Sequence, residues 1–140
     1  MADEDDRAKI IWRLSSTSLG TTISGNGNSG SYSTNSLNAV TAVDIRRVTD
    51  LALMVFCSGS VTGTTPSLVV SLDIYDASGN LFPAALSTAA LSATGGKVVY
   101  GGLFSGPGAQ IVLPEWGRVS WAVTGTTPVF TGVEISLYGR

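Results

Sequence analysis

The hexapeptide VTGTTP occurs twice in this chain, at residues 61–66 and 123–128, and each copy lies between two apolar runs with β character. Glycine can take the positive φ of a tight connection, proline has no amide to donate to a ladder, and threonine favours extended backbone. The repeat therefore predicts two similar hairpins in an all-β fold, each copy forming the connection and each proline starting the outgoing strand. A single repeat is too few for a solenoid or propeller. True internal duplication and the reuse of one good turn sequence both remain open.

Apolar runs between glycine, proline and asparagine predict about eight or nine short strands. The predicted strands cover residues 8–14, 37–48, 51–57, 68–75, 97–104, 109–113, 117–124 and 129–138. The Ser/Thr/Gly/Asn-rich residues 15–36 place GNGNSG at a loop tip, either of a plain loop or of a long hairpin whose flanks are weak strands, and YDASGN reads as a turn. Residues 83–94 are predicted to form either a short helix or an irregular crossover. We expect an all-β fold, a two-sheet antiparallel β-sandwich of jelly-roll type with an extended N-terminal arm.

The alternation of side chains predicts which residues face the core. Val119, Trp121 and Val123 share one face of a strand and are expected to point inward. Asp73 and Glu134 occupy the outward positions of their strands, so both are expected on solvated faces rather than as an acid/base pair. Residues 51–57 are apolar on both faces, which suits a central strand.

Charge is concentrated at the N-terminus. Charged residues make up 13% of the 140-residue chain, against about 25% in an average soluble domain. Residues 1–13 are therefore interpreted as a charged arm that runs into the first strand, and residues 14–140 as a single sandwich domain. The nearly uncharged domain favours surfaces covered by neighbours, which predicts a homo-oligomer, a dimer or trimer. A net charge of −2 without a basic run argues against a nucleic-acid partner.

The residues needed for most enzymatic chemistry are missing. The chain has no histidine and one cysteine, Cys57, which excludes Ser-His-Asp and Cys-His arrangements and a structural zinc site. Cys57 lies in an apolar run and is expected to be a buried hydrophobe. GGLFSGPG, residues 101–108, lacks the Lys-Ser/Thr of a phosphate-binding loop. We expect no enzymatic activity, no cofactor and no metal.

The N-terminal arm is the strongest candidate for docking to a partner. The candidate docking residues are Asp3, Glu4, Asp5, Asp6, Ile10, Ile11, Trp12 and Trp116. The acidic run either faces basic groups of a partner or is a solvated tail. Trp12 and Trp116 are either exposed interface anchors or part of the core. The first residues hold no apolar stretch of a signal peptide, and no run of about 18 apolar residues occurs, so we expect no membrane association and synthesis in a cytosol.

The C-terminal segment IVLPEWGRVSWAVTGTTPVFTGVEISLYG resembles the closing strands of small all-β virion proteins of tailed bacteriophages, especially capsid decoration or cement proteins. SLDIYDASGN resembles an inner hairpin of the same proteins. The resemblance implies a non-enzymatic protein on the exterior of a virion, made in the host cytoplasm, that self-associates and clamps the major capsid protein. Other virion components remain open, namely a head-to-tail adaptor, tail or head-fibre protein. A carbohydrate-binding or adhesive β-sandwich is also open, and an enzyme is a more distant alternative.

Overall fold

The computed structural model describes residues 8–14, 20–30, 42–102 and 114–140. These residues form no helix, and nine strands join in one nearly closed sheet. The strands are β1 (Lys9–Arg13), β2 (Thr21–Ile23), β3 (Gly27–Asn28), β4 (Val43–Asp44), β5 (Asp50–Cys57), β6 (Val61–Tyr75), β7 (Leu81–Ser87), β8 (Gly95–Gly102) and β9 (Trp116–Gly139). The all-β prediction is confirmed.

Strand β9 organises the sheet. Strands β5 and β6 follow one another along one edge of β9, and β1 to β4 follow one another along its other edge, all antiparallel to it. The outer edge of β5 pairs with β8, and the outer edge of β6 pairs with β7. The described strands thus form four antiparallel groups, β1 to β4, β5 with β6, β7 with β8, and β9, which we call passes in chain order. Their spatial order is first, fourth, second and third.

The core lies against one face of these passes. In β5, Leu51, Leu53, Val55 and Cys57 are buried, and they alternate with the more exposed residues Ala52, Met54 and Phe56. The other buried hydrophobic side chains of the main cluster are Ile23, Val43, Ile45, Leu68, Val70, Leu72, Leu86, Leu91, Val119, Phe130, Val133, Ile135 and Leu137. The expected burial of Cys57 is confirmed. Trp121 and Val123 pack against this cluster as half-buried residues, whereas Val119 is fully buried.

The hairpin prediction for VTGTTP is wrong. Both copies lie inside long strands, and they pair with each other, with Thr64 opposite Thr126. On either side of this pair, one strand carries an extra residue, so that each Thr-Pro dipeptide forms a bulge opposite a glycine of the other copy. The predicted positive φ is observed, 107° at Gly63 and 121° at Gly125. The glycines serve bulges rather than tight turns, and the prolines lie at bulges inside the ladder, where a missing amide is tolerated.

Several local predictions have clear outcomes. The YDASGN turn is confirmed, because the carboxylate of Asp76 accepts hydrogen bonds from the backbone N–H groups of Ser78 and Asn80. The helical alternative for residues 83–94 is wrong, because this stretch completes β7 and then bridges to Leu68 through Leu91. GNGNSG is not a free loop tip, since it contains β3. The predicted strand over residues 109–113 and the acidic run of the arm lie outside the described residues.

Asp73 was expected on a solvated face, and this is wrong. Its side chain is buried, with Arg118 Nε at 2.9 Å from Oδ2 and the backbone N–H of Ala84 donating to Oδ1 at 2.8 Å. The register between β6 and β7 shifts between Leu72 and Ile74, so the backbone of β7 bulges over Asp73. The carboxylate fills this bulge and supplies an acceptor to its amide.

Candidate interaction surface

The acidic and cysteine side chains of the described residues are dispersed over the sheet. They include no group of three or more acidic or cysteine side chains able to hold a metal ion. Asp73, the buried carboxylate, is neutralised by Arg118 and bound to the backbone of β7. The bulge of β7 over Asp73 explains why this carboxylate is buried. Exposed apolar side chains, by contrast, form candidate binding surfaces.

Most of the exposed large hydrophobic residues in the described part of the chain lie on the outward face of β1, the C-terminal half of β9, β5 and β8, which we call the outer face. Residues that pair across antiparallel strands point to the same side of the sheet. Met54 pairs with Val98 on β8 and Ser136 on β9, and Ala52 pairs with Tyr100 and Tyr138. The exposed large hydrophobic residues of the outer face are Ile10, Met54, Phe56, Val98 and Tyr100.

Phe56 and Tyr100 dominate this surface. Their exposed fractions are 52% and 56%. An aromatic side chain carries about 150 to 250 Å² of surface, so the two rings alone expose roughly 200 Å². With their aliphatic neighbours they reach the range of about 300 to 600 Å² that is typical of the largest patch on a monomer and is often functional.

A shallow groove crosses the outer face. Its volume is about 390 Å³, and its lining residues are Met54, Val55, Phe56, Gly96, Lys97, Val98, Glu134, Ser136 and Tyr138. Glu134 pairs with Phe56 and therefore faces outward, as predicted from the sequence. Phe56 in turn lies against Gly96, where an added Cβ would approach the ring carbon Cδ2 to 2.9 Å. The groove is mainly apolar, and Lys97 and Glu134 are the charged residues that line it.

The structure separates the candidate docking residues. Asp3, Glu4, Asp5 and Asp6 lie outside the described residues. Ile10 is 44% exposed and belongs to the outer face, opposite Tyr138. Ile11 and Trp12 pack against the core instead, because a register shift in β1 lies between Ile10 and Trp12.

Trp116 lies far along β9 from the pairing partners of β1, so the structure does not bring it together with Ile10. It is half-buried, and the guanidinium of Arg46 lies 4.9 Å from the centre of its ring. Arg46 also donates two hydrogen bonds to Asp44, at 3.0 and 2.7 Å. These side-chain hydrogen bonds have the largest effect on the pKa of Asp44, and the hydrogen bond from the backbone N–H of Arg46 has the second largest. The pKa of Asp44 is lowered to about 2. Trp116 is thus covered on one side by a cation rather than fully exposed.

Sequence reasoning missed the main residues of the outer face. The run of residues 51–57 was interpreted as a central strand because it is apolar on both faces. The strand is central in the sheet, between β9 and β8, but its second face is exposed at Met54 and Phe56. The signal was present, because a strand with two apolar faces requires a cover on each side.

A smaller apolar site lies at the other end of the sheet. It is a shallow groove of about 260 Å³ lined by Ile74, Tyr75, Asp76, Phe82 and Pro114. Phe82 is 52% exposed, as Phe56 is. Phe56 and Phe82 are therefore equally exposed aromatic residues that lie in two different grooves.

Comparisons with known proteins add no relative. No family model, curated protein or solved structure matches the chain. Across the described ranges, no helix is long and apolar enough to cross a membrane.

Proposed function

We propose that this chain is a non-enzymatic structural protein of a virion, a decoration or cement protein that binds the major capsid protein on the exterior of the shell. The observation that carries the proposal is the outer face, where the exposed aromatic rings of Phe56 and Tyr100 lie on a domain of low charge. A surface of this kind is stable in solution chiefly when a neighbouring protein covers it. The resemblance of the C-terminal segment to phage decoration proteins supplies the class of assembly.

The order of the four passes supports the proposal. The first, fourth, second and third passes lie side by side, and both β9 and the β5–β6 pass have antiparallel neighbours on each edge. We infer a two-sheet jelly roll, in which the bulged region around Thr64 and Thr126 and the break between β5 and β6 form the corners. Jelly rolls are used by viral capsid and lectin domains. The inferred jelly roll is therefore suited to either a structural or a binding role.

The acidic N-terminal segment is proposed as a second contact with the shell. Asp3, Glu4, Asp5 and Asp6 precede β1, whose first residue, Lys9, pairs with Gly139 at the end of β9. The segment is thus tethered to the edge of the sheet. Basic groups of the major capsid protein are its expected partners, and no contact with nucleic acid or membrane is proposed.

Reconstitution on shells that lack this chain tests the proposal. Purified protein is expected to bind shells of the major capsid protein at saturable stoichiometry and to raise their resistance to heat. Deletion of residues 2–7, which stops before β1, should leave the domain folded and weaken binding. The loss should be larger at 0.1 M than at 1 M salt, because the Debye length falls from about 10 to about 3 Å. Absence of saturable binding by the intact protein would contradict the proposed function.

A carbohydrate-binding protein is the second candidate, favoured by the exposed ring of Tyr100. Aromatic rings on an open face are suitable for stacking against sugars, and jelly rolls include lectins. Titration of glycans against the intrinsic fluorescence of the protein distinguishes the two functions. Saturable binding that is lost in Tyr100→Ala, together with no binding to shells, would favour the lectin.

A further inference from the structure

We propose that the outer face is a self-complementary interface that binds the outer face of a second copy of this chain around a twofold axis. This proposal goes beyond the proposed function, because it concerns the free protein. The dimer covers the same face that the proposed shell contact uses, so binding to a shell requires the dimer to open. The first observation behind it is the pattern of adjacent rows across the sheet.

Two neighbouring rows of the outer face carry opposite charges. One row runs across the sheet through Arg13, Ser136, Met54 and Val98. The next row of the same face, two residues along each strand and therefore about 7 Å away, runs through Glu134, Phe56 and Gly96. Neither Arg13 nor Glu134 forms an ion pair with another described residue. The face is apolar, with one positive and one negative row.

A twofold axis between these rows makes the face complementary to itself. In such an interface the same patch is used by both subunits, so a contact of residue i with residue j occurs twice. This axis lies in the plane of the interface, perpendicular to the strands and midway between the two rows. It places each row of one copy over the other row of the second copy. It places Met54 over Phe56 of the second copy, a favourable sulfur–aromatic contact, and brings Arg13 towards Glu134 of the second copy. The opposite charges of the two rows are thereby brought together across the interface.

The size of the apolar patch fits an interface of ordinary area. A standard interface covers about 800 Å² on each partner, and a little over half of it is apolar. Met54, Phe56 and Val98 lie in the two exchanged rows and form the apolar centre, and Ile10 and Tyr100 lie one row further out, towards the rim. Two sheets that pack face to face lie about 10 Å apart, a distance that these side chains can fill.

Two charge-reversal variants, measured separately and as a mixture, test the geometry of this interface. Arg13→Glu alone places two acidic groups together across the interface, and Glu134→Arg alone places two basic groups together. Each variant is expected to dimerise at least about tenfold more weakly than the wild type in sedimentation equilibrium. An equimolar mixture should form a heterodimer with an affinity near that of the wild type, because both contacts then join opposite charges.

Two controls separate this interface from general effects. Arg47→Glu makes the same charge change as Arg13→Glu, but at an exposed turn outside the outer face. Phe82→Ser removes an aromatic ring as exposed as that of Phe56. Phe56→Ser is expected to weaken the dimer at least about tenfold, and both controls are expected to leave it unchanged.

Circular dichroism confirms that each variant is folded. A wild-type protein that remains monomeric at tens of micromolar would overturn the proposal. So would a mixture of Arg13→Glu and Glu134→Arg that associates no better than its components. Equal loss of the dimer in Phe82→Ser and Phe56→Ser would also overturn it.

Discussion

Thr64 and Thr126, the fourth residues of the two VTGTTP copies, pair with each other across β6 and β9. Around this pair the two strands have nearly the same conformation, with a φ of 47° at both Thr65 and Thr127. Each copy therefore supplies the glycine that accommodates the bulge of the other. The repeat encodes a local twofold arrangement within one ladder.

The first prediction concerns the two glycines of this arrangement. A Cβ at Gly63 would lie 2.7 Å from the carbonyl oxygen of Thr127, and a Cβ at Gly125 would lie 2.8 Å from that of Thr64. Because both residues also have positive φ, Gly63→Ala and Gly125→Ala should each lower the free energy of unfolding by about 1 to 3 kcal/mol. Urea denaturation measures this loss.

Gly25→Ala is the control, since a Cβ at Gly25 would meet nothing within 4 Å. Its effect should stay within about 0.5 kcal/mol. Clearly different losses of unfolding free energy in Gly63→Ala and Gly125→Ala would contradict the twofold equivalence of the two bulges.

The buried pair Asp73–Arg118 provides a second prediction. Arg118→Gln leaves the Asp73 carboxylate buried with the Ala84 amide as its remaining partner, and should cost about 3 kcal/mol. Asp73→Asn keeps an oxygen that can accept from Ala84 but leaves the guanidinium uncompensated. The double variant should lose less stability than the sum of the single variants. Strictly additive losses in a double-mutant cycle would show that the two side chains do not interact.

Trp121 is expected to contribute less to stability than full burial implies. A fully buried aromatic residue costs about 3 to 5 kcal/mol on truncation to alanine, which is the value expected for Phe130→Ala. Trp121 is half-buried and its ring lies over Gly27, where an added Cβ would lie 2.6 Å from Cε2. Trp121→Ala should therefore cost about 2 kcal/mol. A loss equal to that of Phe130→Ala in thermal or chemical unfolding would contradict the observed exposure.

The ion pair of Asp44 and Arg46 predicts a small dependence of stability on pH. The pKa of Asp44 is lowered from 3.8 to about 2, chiefly by the hydrogen bonds from Arg46. A lowered pKa means that the contribution is present above about pH 4 and is lost as the pH falls through about 2. Both side chains are about half exposed, so solvent screening keeps the effect small.

Titration of the Asp44 carboxyl carbon by NMR measures this pKa directly. Arg46→Gln should return it towards its usual value of 3.8. Arg47→Gln is the control and should change it only slightly, because Arg47 acts on Asp44 through charge alone and is the weakest of the causes. An unperturbed Asp44 in the wild-type protein would contradict the hydrogen-bonded geometry.

The sequence predicts the strands better than their connections, for physical reasons. Apolar runs located β1, β5 and β8, and the alternation of apolar residues located the C-terminal half of β6 and much of β9, because one face of each of these two strands packs on the core. The bulges could not be predicted, because a Thr-Pro dipeptide opposite a glycine is a long-range relation between strands. Asp73 was placed wrongly for the same reason, since the amide that it binds belongs to β7.

The interaction surface was predicted only in part. Ile10 was a candidate, and it lies on the outer face. Phe56 and Tyr100 were missed because local sequence shows that a residue is apolar but not which faces of its strand are covered. Trp12 is partly buried and packs against the core, and its role as an interface anchor stays a prediction.

A cryo-EM map of the particle that contains this chain tests the account most directly. Decoration predicts hundreds of copies per particle on the exterior of the shell, with Phe56 and Tyr100 buried in a contact between protein subunits. A dozen or fewer copies, located at the tail or the head-to-tail junction, would contradict decoration. An outer face that is open to solvent in every copy would contradict the claim that this surface is built for assembly.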